Sequence, residues 1–134
     1  MKSFKLTIAT PDGLEFEGEA ESLLVRTTEG DAEILAGHAD FLTTLGTGRA
    51  RVTVGGEKRF ASASGGFVSV KNGEVSLVAT TFEFADQIDI KRAKAAKEKL
   101  ESELGKKVGP DAEAILRAKL SRAISRINVW EIGK

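Results

Sequence analysis

The sequence contains no cysteine and only one histidine, His38, among its 134 residues. Without thiols the chain cannot form a disulfide framework, a zinc site with cysteine ligands or a cysteine nucleophile. A single histidine also leaves no metal site built on clustered histidine and cysteine ligands, and no order of residues that fits a histidine-based catalytic triad. Several common kinds of enzyme site are therefore excluded, and we expect a chain without catalytic activity of its own.

Long apolar runs are also absent, and none approaches the roughly 20 residues that a membrane-spanning helix needs. The first residues match neither a signal peptide nor an arginine-rich transit peptide. No phosphate-binding loop of the G-x-x-x-x-G-K-[ST] type occurs. Aromatic residues make up only 6% of the chain, too few to interleave with basic residues as in nucleic-acid-binding proteins. These absences favour a cytoplasmic protein that binds no nucleic acid.

The charges are balanced overall but unevenly distributed along the chain. Residues 1–84 carry 8 basic and 12 acidic residues, whereas residues 85–134 carry 12 basic and 8 acidic ones. The two parts therefore have net charges of −4 and +4. Such asymmetry indicates a basic arm that meets an acidic partner.

The first 84 residues alternate apolar and polar side chains with the period of β-strands. Phe4, Leu6 and Ile8 show this alternation at the start of the chain. Turn signals, such as those at residues 10–13 and 72–73, recur about every eight to twelve residues. We therefore predict that residues 1–84 form an all-β sandwich, or flattened barrel.

Near residue 84 the hydrophobic period changes to that of an α-helix. Residues 84–104 are rich in Ala, Lys and Glu, and residues 111–131 follow Pro110, which favours a helix start. The connection between these two segments is short, so the helices should run antiparallel. We predict that residues 85–134 form a second domain, an α-helical hairpin.

Charged residues recur on the helix faces that should meet within this hairpin. Asp89 and Arg92 share one face of the first helix, and Arg122 and Arg126 share one face of the second. Three arginines would then face one aspartate, and a polyanion would balance them, since arginine binds phosphate through paired hydrogen bonds. A purely structural salt-bridge network is the alternative interpretation of the same residues.

Several segments of this sequence resemble the epsilon subunit of bacterial F-type ATP synthases. They occur in the order and spacing of that family, and the resemblance spans the whole chain. The segments are residues 10–13 (TPDG), 28–39 (TEGDAEILAGHA), 64–67 (SGGF) and 88–93, where Ile88-Asp89-x-x-Arg92-Ala93 matches the family's I/L-D-x-x-R-A motif.

The resemblance implies a β-sandwich followed by a helical hairpin, in a non-catalytic subunit of the central stalk, or rotor. Such a subunit binds the gamma subunit and the polar loops of the membrane c-ring, and couples the catalytic head to that ring. Asp31 and His38 match positions in the loops that make these contacts. Alternatively, His38 only hydrogen-bonds its own turn. The protein would lie at the cytoplasmic face of the bacterial cell membrane, peripherally and only through the complex.

In some bacterial members of the family the hairpin binds ATP as a regulatory ligand. In such a site we expect the arginines to contact phosphates or ring faces. Asp89 would orient an arginine or accept a hydrogen bond from the ligand, and Glu83 and Ile88 would face the adenine. A bound Mg²⁺ ion near Asp89 is compatible with the resemblance but is not implied by it. The residues that match the site are Glu83, Ile88, Asp89, Arg92, Ala93, Arg122 and Arg126.

The resemblance also implies a regulatory mechanism. A hairpin folded onto the sandwich would hold ATP, whereas an extended hairpin would reach an acidic segment of the beta subunit and inhibit ATP hydrolysis. The net charge of +4 in residues 85–134 suits that partner. Two alternatives remain: a purely structural coupling subunit that binds no nucleotide, and a free-standing binding module unrelated to a rotor.

Overall fold

The computed structural model describes residues 2–133, which form ten β-strands followed by two α-helices. A short 3-10 turn, Ala85–Gln87, connects the strands to the helices α1 (Ile90–Leu104) and α2 (Pro110–Gly133). The strands are β1 (Phe4–Thr10), β2 (Gly13–Ala20), β3 (Ser22–Thr27), β4 (Gly30–Leu35), β5 (Phe41–Thr44), β6 (Gly48–Val54), β7 (Glu57–Ser64), β8 (Phe67–Lys71), β9 (Glu74–Val78) and β10 (Thr81–Phe84).

The strands form two five-stranded sheets that pack face to face as a sandwich. Sheet 1 has the order β2-β1-β9-β8-β5, and sheet 2 has the order β10-β7-β6-β3-β4. In the described chain β1 and β9 pair in parallel, and all other neighbouring strands are antiparallel. The predicted fold class, a β-sandwich followed by a helical hairpin, is confirmed.

The core lies between the two sheets and consists of the alternate residues of each strand. Phe4, Leu6 and Ile8 of β1 are buried while Lys5 is exposed, as the sequence alternation predicts. Burying a large aliphatic side chain stabilises the fold by about 1.5–3 kcal/mol. The largest fully buried side chains of the sandwich are Leu6, Ile8, Leu23, Val25, Ile34, Val52, Val68 and Leu77.

The predicted hairpin turn at residues 72–73 joins β8 to β9. Asn72 has φ 52° and Gly73 has φ 78°, so both lie in the left-handed region. Asparagine and glycine tolerate this region better than other residues do, and two such positions in a row define the turn that matches the twist of an antiparallel pair. The local sequence therefore sets this turn without help from the rest of the fold.

The two helices pack against each other, and α2 also packs against sheet 2. It contacts β7, β6 and the 3-10 turn, so the second half of α2 lies on the sandwich. At this interface the Oγ atoms of Ser62 and Ser125 lie 2.8 Å apart and are buried. The hairpin is therefore folded down, with α2 as its docking helix.

The expectation that the first helix runs from residue 84 is wrong, because α1 begins at Ile90. Phe84 instead ends β10, where it pairs with Ala61 and is buried at 3% exposure. Its ring packs edge-on against Phe82 and lies under the Arg59 guanidinium. Sheet pairing and burial at this position therefore outweigh the helical pattern of the sequence that follows.

The second helix is two residues longer at its C-terminus than predicted and starts one residue earlier, at Pro110. Proline at the first helical position loses no hydrogen bond, because the N–H groups of the first turn have no partner within the helix. Within residues 2–133, no helix is long and apolar enough to cross a membrane.

Candidate functional site

A cleft of about 720 Å³ lies between α1 and α2 and opens beside the end of β10. We refer to it as the hairpin cleft. It contains most of the residues that the sequence assigned to a ligand site. Its lining is formed by Glu83, Asp89, Arg92, Ala93, Ala96, Lys99, Leu100, Glu103, Leu116, Lys119, Arg122, Ala123 and Arg126.

Helical periodicity explains why these residues share one cleft. Arg92, Ala96, Lys99 and Glu103 are three or four residues apart, so they follow one face of α1. The residues from Leu116 to Arg126 do the same on α2. Alanine side chains at the middle of both walls leave the space that the cleft occupies.

At the end of the cleft nearest the sandwich, an ion pair joins the two parts of the chain. Arg126 donates a hydrogen bond from Nε to Oε1 of Glu83 at a distance of 2.6 Å. Both side chains are about one-third exposed, so water screens the pair only in part. The expectation that three arginines face a single aspartate is therefore wrong, because Glu83 is a second carboxylate in the seam and Arg126 is its partner.

Asp89 has a structural role that its position in the motif did not reveal. It is the N-cap of α1, where its Oδ1 accepts a hydrogen bond from the backbone N–H of Arg92 at 3.1 Å. The carboxylate satisfies one of the free N–H groups of the first turn and carries negative charge at the positive end of the helix. The motif therefore begins the helix that forms one wall of the cleft.

The charges that remain in the cleft are predominantly positive. Five basic side chains line it against three acidic ones, and one of the acids is already paired with Arg126. Within residues 2–133, the side chains of Arg92, Lys99, Lys119 and Arg122 take part in no ion pair. Such an arrangement can hold a molecule with several negative charges, since arginine and lysine both bind phosphate oxygens.

The structure brings together six of the seven predicted nucleotide-site residues in the hairpin cleft: Glu83, Asp89, Arg92, Ala93, Arg122 and Arg126. Ile88 is buried at 8% exposure and is not part of the lining. The sequence interpretation missed Lys99, Glu103 and Lys119. Spacing could have found the lysines, because each lies seven residues, or two helical turns, from an arginine of the site. No group of residues suited to a metal ion occurs in the described part of the chain.

Asp31 and His38, the predicted contact residues, lie away from the hairpin cleft. Asp31 is the second residue of β4 rather than part of a loop, so that part of the expectation is wrong. Arg26 donates a hydrogen bond from Nε to Oδ1 of Asp31 at 2.5 Å. This bond lowers the pKa of the Asp31 carboxyl, the charges of Arg26 and Arg49 act in the same direction, and burial opposes them.

His38 lies three residues beyond the end of β4, so β4 separates it from Asp31. Its Nδ1 is 2.8 Å from the carbonyl oxygen of Ala39, and its ring is tilted against Phe41 with centroids 4.8 Å apart. Its exposed side chain therefore makes the local contacts of a turn residue.

A second candidate surface crosses the outer face of sheet 1. Leu14, Ala9, Val78 and Phe67 are consecutive cross-strand partners, one on each of four neighbouring strands. Leu42 extends the row on β5, and its side chain is 69% exposed. We refer to these five residues as the outer stripe. A mostly exposed apolar row of this kind is a candidate surface for contact with another protein.

Comparison with known proteins identifies the family that this sequence matches. Residues 3–85 match the family model described as ATP synthase, Delta/Epsilon chain, beta-sandwich domain. The chain is 43% identical over 129 residues to the ATP synthase epsilon chain of Clostridium novyi, covering 96% of this chain and 98% of the relative. It is 35% identical over 131 residues to that of Caldicellulosiruptor saccharolyticus, covering 98% and 96%.

Two solved structures share the fold. A chain of the Euglena gracilis mitochondrial ATP synthase, resolved by cryo-EM with OSCP, F1 and c-ring, aligns with a TM-score of 0.80 at 22% identity, covering 97% of this chain and 80% of the other. A chain from the Tetrahymena thermophila mitochondrial ATP synthase central stalk and c-ring aligns with a TM-score of 0.64 at 14% identity, covering 98% and 96%. At these identities the likeness concerns the fold alone.

Proposed function

The chain belongs to the epsilon chains of ATP synthase, which are non-catalytic subunits of its stalk, and we propose that its helical hairpin senses ATP. The observation that carries this proposal is the hairpin cleft, which Arg92 lines from one helix and Arg122 from the other, neither with a carboxylate partner in residues 2–133. An unpaired guanidinium in a partly enclosed site is stabilised by an anion, and the phosphates of ATP supply one.

ATP in this cleft would favour the folded-down hairpin. The cleft needs both helices, and Glu83 of β10 contributes to it only when α2 lies on the sandwich. A ligand that binds one state alone stabilises it by RT ln(1 + [L]/Kd), or about 2.7 kcal/mol when the ligand is a hundredfold above Kd. High ATP would therefore keep the hairpin down, and low ATP would release it.

The released hairpin would inhibit ATP hydrolysis. Its sequence carries a net charge of +4, which complements an acidic segment of the beta subunit. In the folded-down state the same basic residues lie at the hairpin cleft and on the hairpin surface. We propose that ATP and the beta subunit compete for the hairpin through these two conformations, and that Mg²⁺, if it accompanies ATP, arrives with the phosphates rather than on a preformed protein site.

The sandwich would serve the coupling function of the stalk. The outer stripe offers an apolar surface that suits the gamma subunit, because apolar rows on a sheet face are buried by protein partners. Asp31 and the exposed ring of His38 would meet gamma or the polar loops of the c-ring. The chain would then be held at the cytoplasmic face of the bacterial cell membrane through the complex.

Calorimetric titration of the full chain with ATP, with and without Mg²⁺, tests the ligand. Arg122→Ala is the informative variant, because Arg122 lines the cleft and has no ion-pair partner in the described chain. We expect it to lose saturable ATP binding while far-UV circular dichroism stays unchanged. Arg117→Ala is the matched control, since Arg117 lies on the same helix, outside the cleft, and pairs with Glu113.

The outcome also separates the proposal from its alternative. If the wild-type chain binds no ATP, the charged seam is structural and the subunit only couples the head to the ring, as the Glu83–Arg126 pair and the Asp89 cap would favour. In the assembled ATP synthase we expect Arg122→Ala to keep hydrolysis inhibited at ATP concentrations that relieve the wild type. Equal relief in both complexes would contradict the regulatory role.

A further inference from the structure

The turn between β8 and β9 contains one of the two asparagines of the sequence, Asn72, directly before Gly73. Both residues are exposed. The side-chain amide of Asn72 takes part in no hydrogen bond in the described part of the chain. A Cβ atom built on Gly73 would meet no atom within 4 Å, so the space beside its backbone is open. The turn therefore presents an unengaged amide next to a residue without a side chain.

An asparagine followed by glycine can lose its side-chain amide without an enzyme. The backbone nitrogen of the glycine attacks Cγ of the asparagine, the C–N bond of the side-chain amide breaks, and ammonia leaves with the proton of the attacking nitrogen. The product is a cyclic succinimide. Water then opens the ring at either carbonyl, which gives aspartate or isoaspartate. Glycine favours the attack because it has no Cβ to obstruct it.

The turn must open before this reaction occurs, because the attack requires rotation about the Cα–C bond of Asn72. Opening costs little free energy at the tip of this hairpin, where residues 71–74 are all exposed. The other asparagine, Asn128, lies within α2, and the next residue, Val129, is β-branched and fully buried. Its reaction would require part of the docked helix to unfold. The chain therefore contains its own control.

The backbone of Asn72 also holds a neighbouring segment in place. Its N–H donates a hydrogen bond to Oδ1 of Asp40 at 2.9 Å, which joins the turn to residues 36–40, the connection between β4 and β5 that contains His38. Deamidation would place a second carboxylate near Asp40, and isoaspartate would also lengthen the backbone of the turn by one carbon. Both changes weaken this bond, because like charges repel and the turn loses its geometry.

We propose that Asn72 is a site of spontaneous deamidation, and that its conversion loosens the segment that carries His38. The contacts of residues 36–40 would then change with the age of the chain. This inference goes beyond the ATP-sensing function and does not depend on it, because the turn and the hairpin cleft share no residue.

Peptide mapping by mass spectrometry tests the first part, on the full chain incubated at neutral and at mildly alkaline pH. We expect the peptide with Asn72 to gain the mass of an amide-to-acid conversion about tenfold faster, or more, than the peptide with Asn128, because helix opening adds to the barrier. Alkaline pH should accelerate the reaction, since the attacking nitrogen loses a proton. Isomerisation of Asp12 before Gly13 leaves the mass unchanged and is therefore not counted. Equal rates at both asparagines, or an unconverted Asn72, would overturn the proposal.

Amide hydrogen exchange tests the second part. Asn72→Asp reproduces one product, and Asn72→Gly is the matched control, since glycine keeps the N–H and tolerates positive φ but has no amide to lose. The N–H of His38 donates to the carbonyl oxygen of Leu35, so its exchange reports on the segment. We expect this exchange to be about threefold faster in Asn72→Asp, as partly screened repulsion between exposed carboxylates implies, and unchanged in Asn72→Gly. Exchange that is unchanged in Asn72→Asp, or equally fast in both variants, would overturn the link to His38.

Discussion

Glu83 and Arg126 are 43 residues apart in sequence, yet their side chains form a 2.6 Å hydrogen-bonded ion pair between the last strand of the sandwich and the second helix of the hairpin. The pair lies at the mouth of the hairpin cleft. A ligand whose phosphates attract Arg126 must share this arginine with Glu83. The pair therefore links docking of the hairpin on the sandwich to ligand binding in the cleft.

A double-mutant cycle measures that link. We expect Glu83→Gln and Arg126→Gln to weaken docking individually, with a coupling energy of about 1 kcal/mol because the partly exposed pair is partly screened. Trp130 is the single tryptophan of the sequence and lies in α2, so its fluorescence during urea unfolding reports on the hairpin. A coupling energy near zero would mean that the pair does not hold the hairpin on the sandwich.

The buried pair of Ser62 and Ser125 predicts an asymmetry between single and double variants. Ser125→Ala leaves the Ser62 hydroxyl without its partner at the interface, which should cost about 1–3 kcal/mol of unfolding free energy. Replacing both serines by alanine removes both polar groups and should cost less than either single change. The control is Ser121→Ala, an exposed position on the same helix. Additive losses in the double variant would contradict this interpretation.

Asp89 can be tested for its two roles separately. Asp89→Ala removes the N-cap of α1 and should cost about 1 kcal/mol of stability, with lower helicity by circular dichroism. Asp89→Ser keeps a capping oxygen and should restore both. If the serine variant also binds ATP as the wild type does, Asp89 acts through the helix start alone. Loss of ATP affinity in a fully helical serine variant would instead identify it as a ligand contact.

Gly133 permits a close approach between the end of α2 and the 3-10 turn. A Cβ atom at this position would lie 2.4 Å from Cβ of Ala85, so Gly133→Ala must push the helix end away. We expect a loss of about 1–3 kcal/mol, as in overpacked sites, although helix propensity alone would predict stabilisation. The control is Gly109→Ala, where a Cβ would meet no atom within 4 Å. Stabilisation by Gly133→Ala, measured by thermal unfolding, would show that the end of α2 is not held there.

The local sequence was sufficient for much of the fold. Phe4, Leu6 and Ile8 alternate with polar residues, and this period alone assigns a strand and its buried face. Asn72 and Gly73 determine a turn by their own backbone preferences. Pro110 and the good helix formers around it indicate the second helix within two residues of its ends. In each case the physical cause lies within a few residues, so a single sequence contains it.

Other features depended on contacts that are distant in sequence. The start of α1 was misplaced because Phe84 is held in β10 by pairing with Ala61 and by burial, neither of which is visible in the helical pattern that follows. The helical pattern indicated a cluster of charges with one acid, Asp89, whereas the structure also pairs Glu83 of β10 with Arg126. Only the docking of α2 on sheet 2 decides which arginine is paired.

The residues of the hairpin cleft also divide into those that the sequence predicted and those that only the structure revealed. Motif residues Asp89 and Arg92 were evident from the sequence itself, since they lie three residues apart at the start of a helix. The presence of Lys99 and Lys119 in one cleft depends instead on the packing of the two helices against each other. The sequence by itself thus determined the strands, the turns, the helices and a positive hairpin. The tertiary structure decided which charges are paired and which remain available to a ligand, because that choice depends on the contacts between separate elements rather than on the propensity of any one of them.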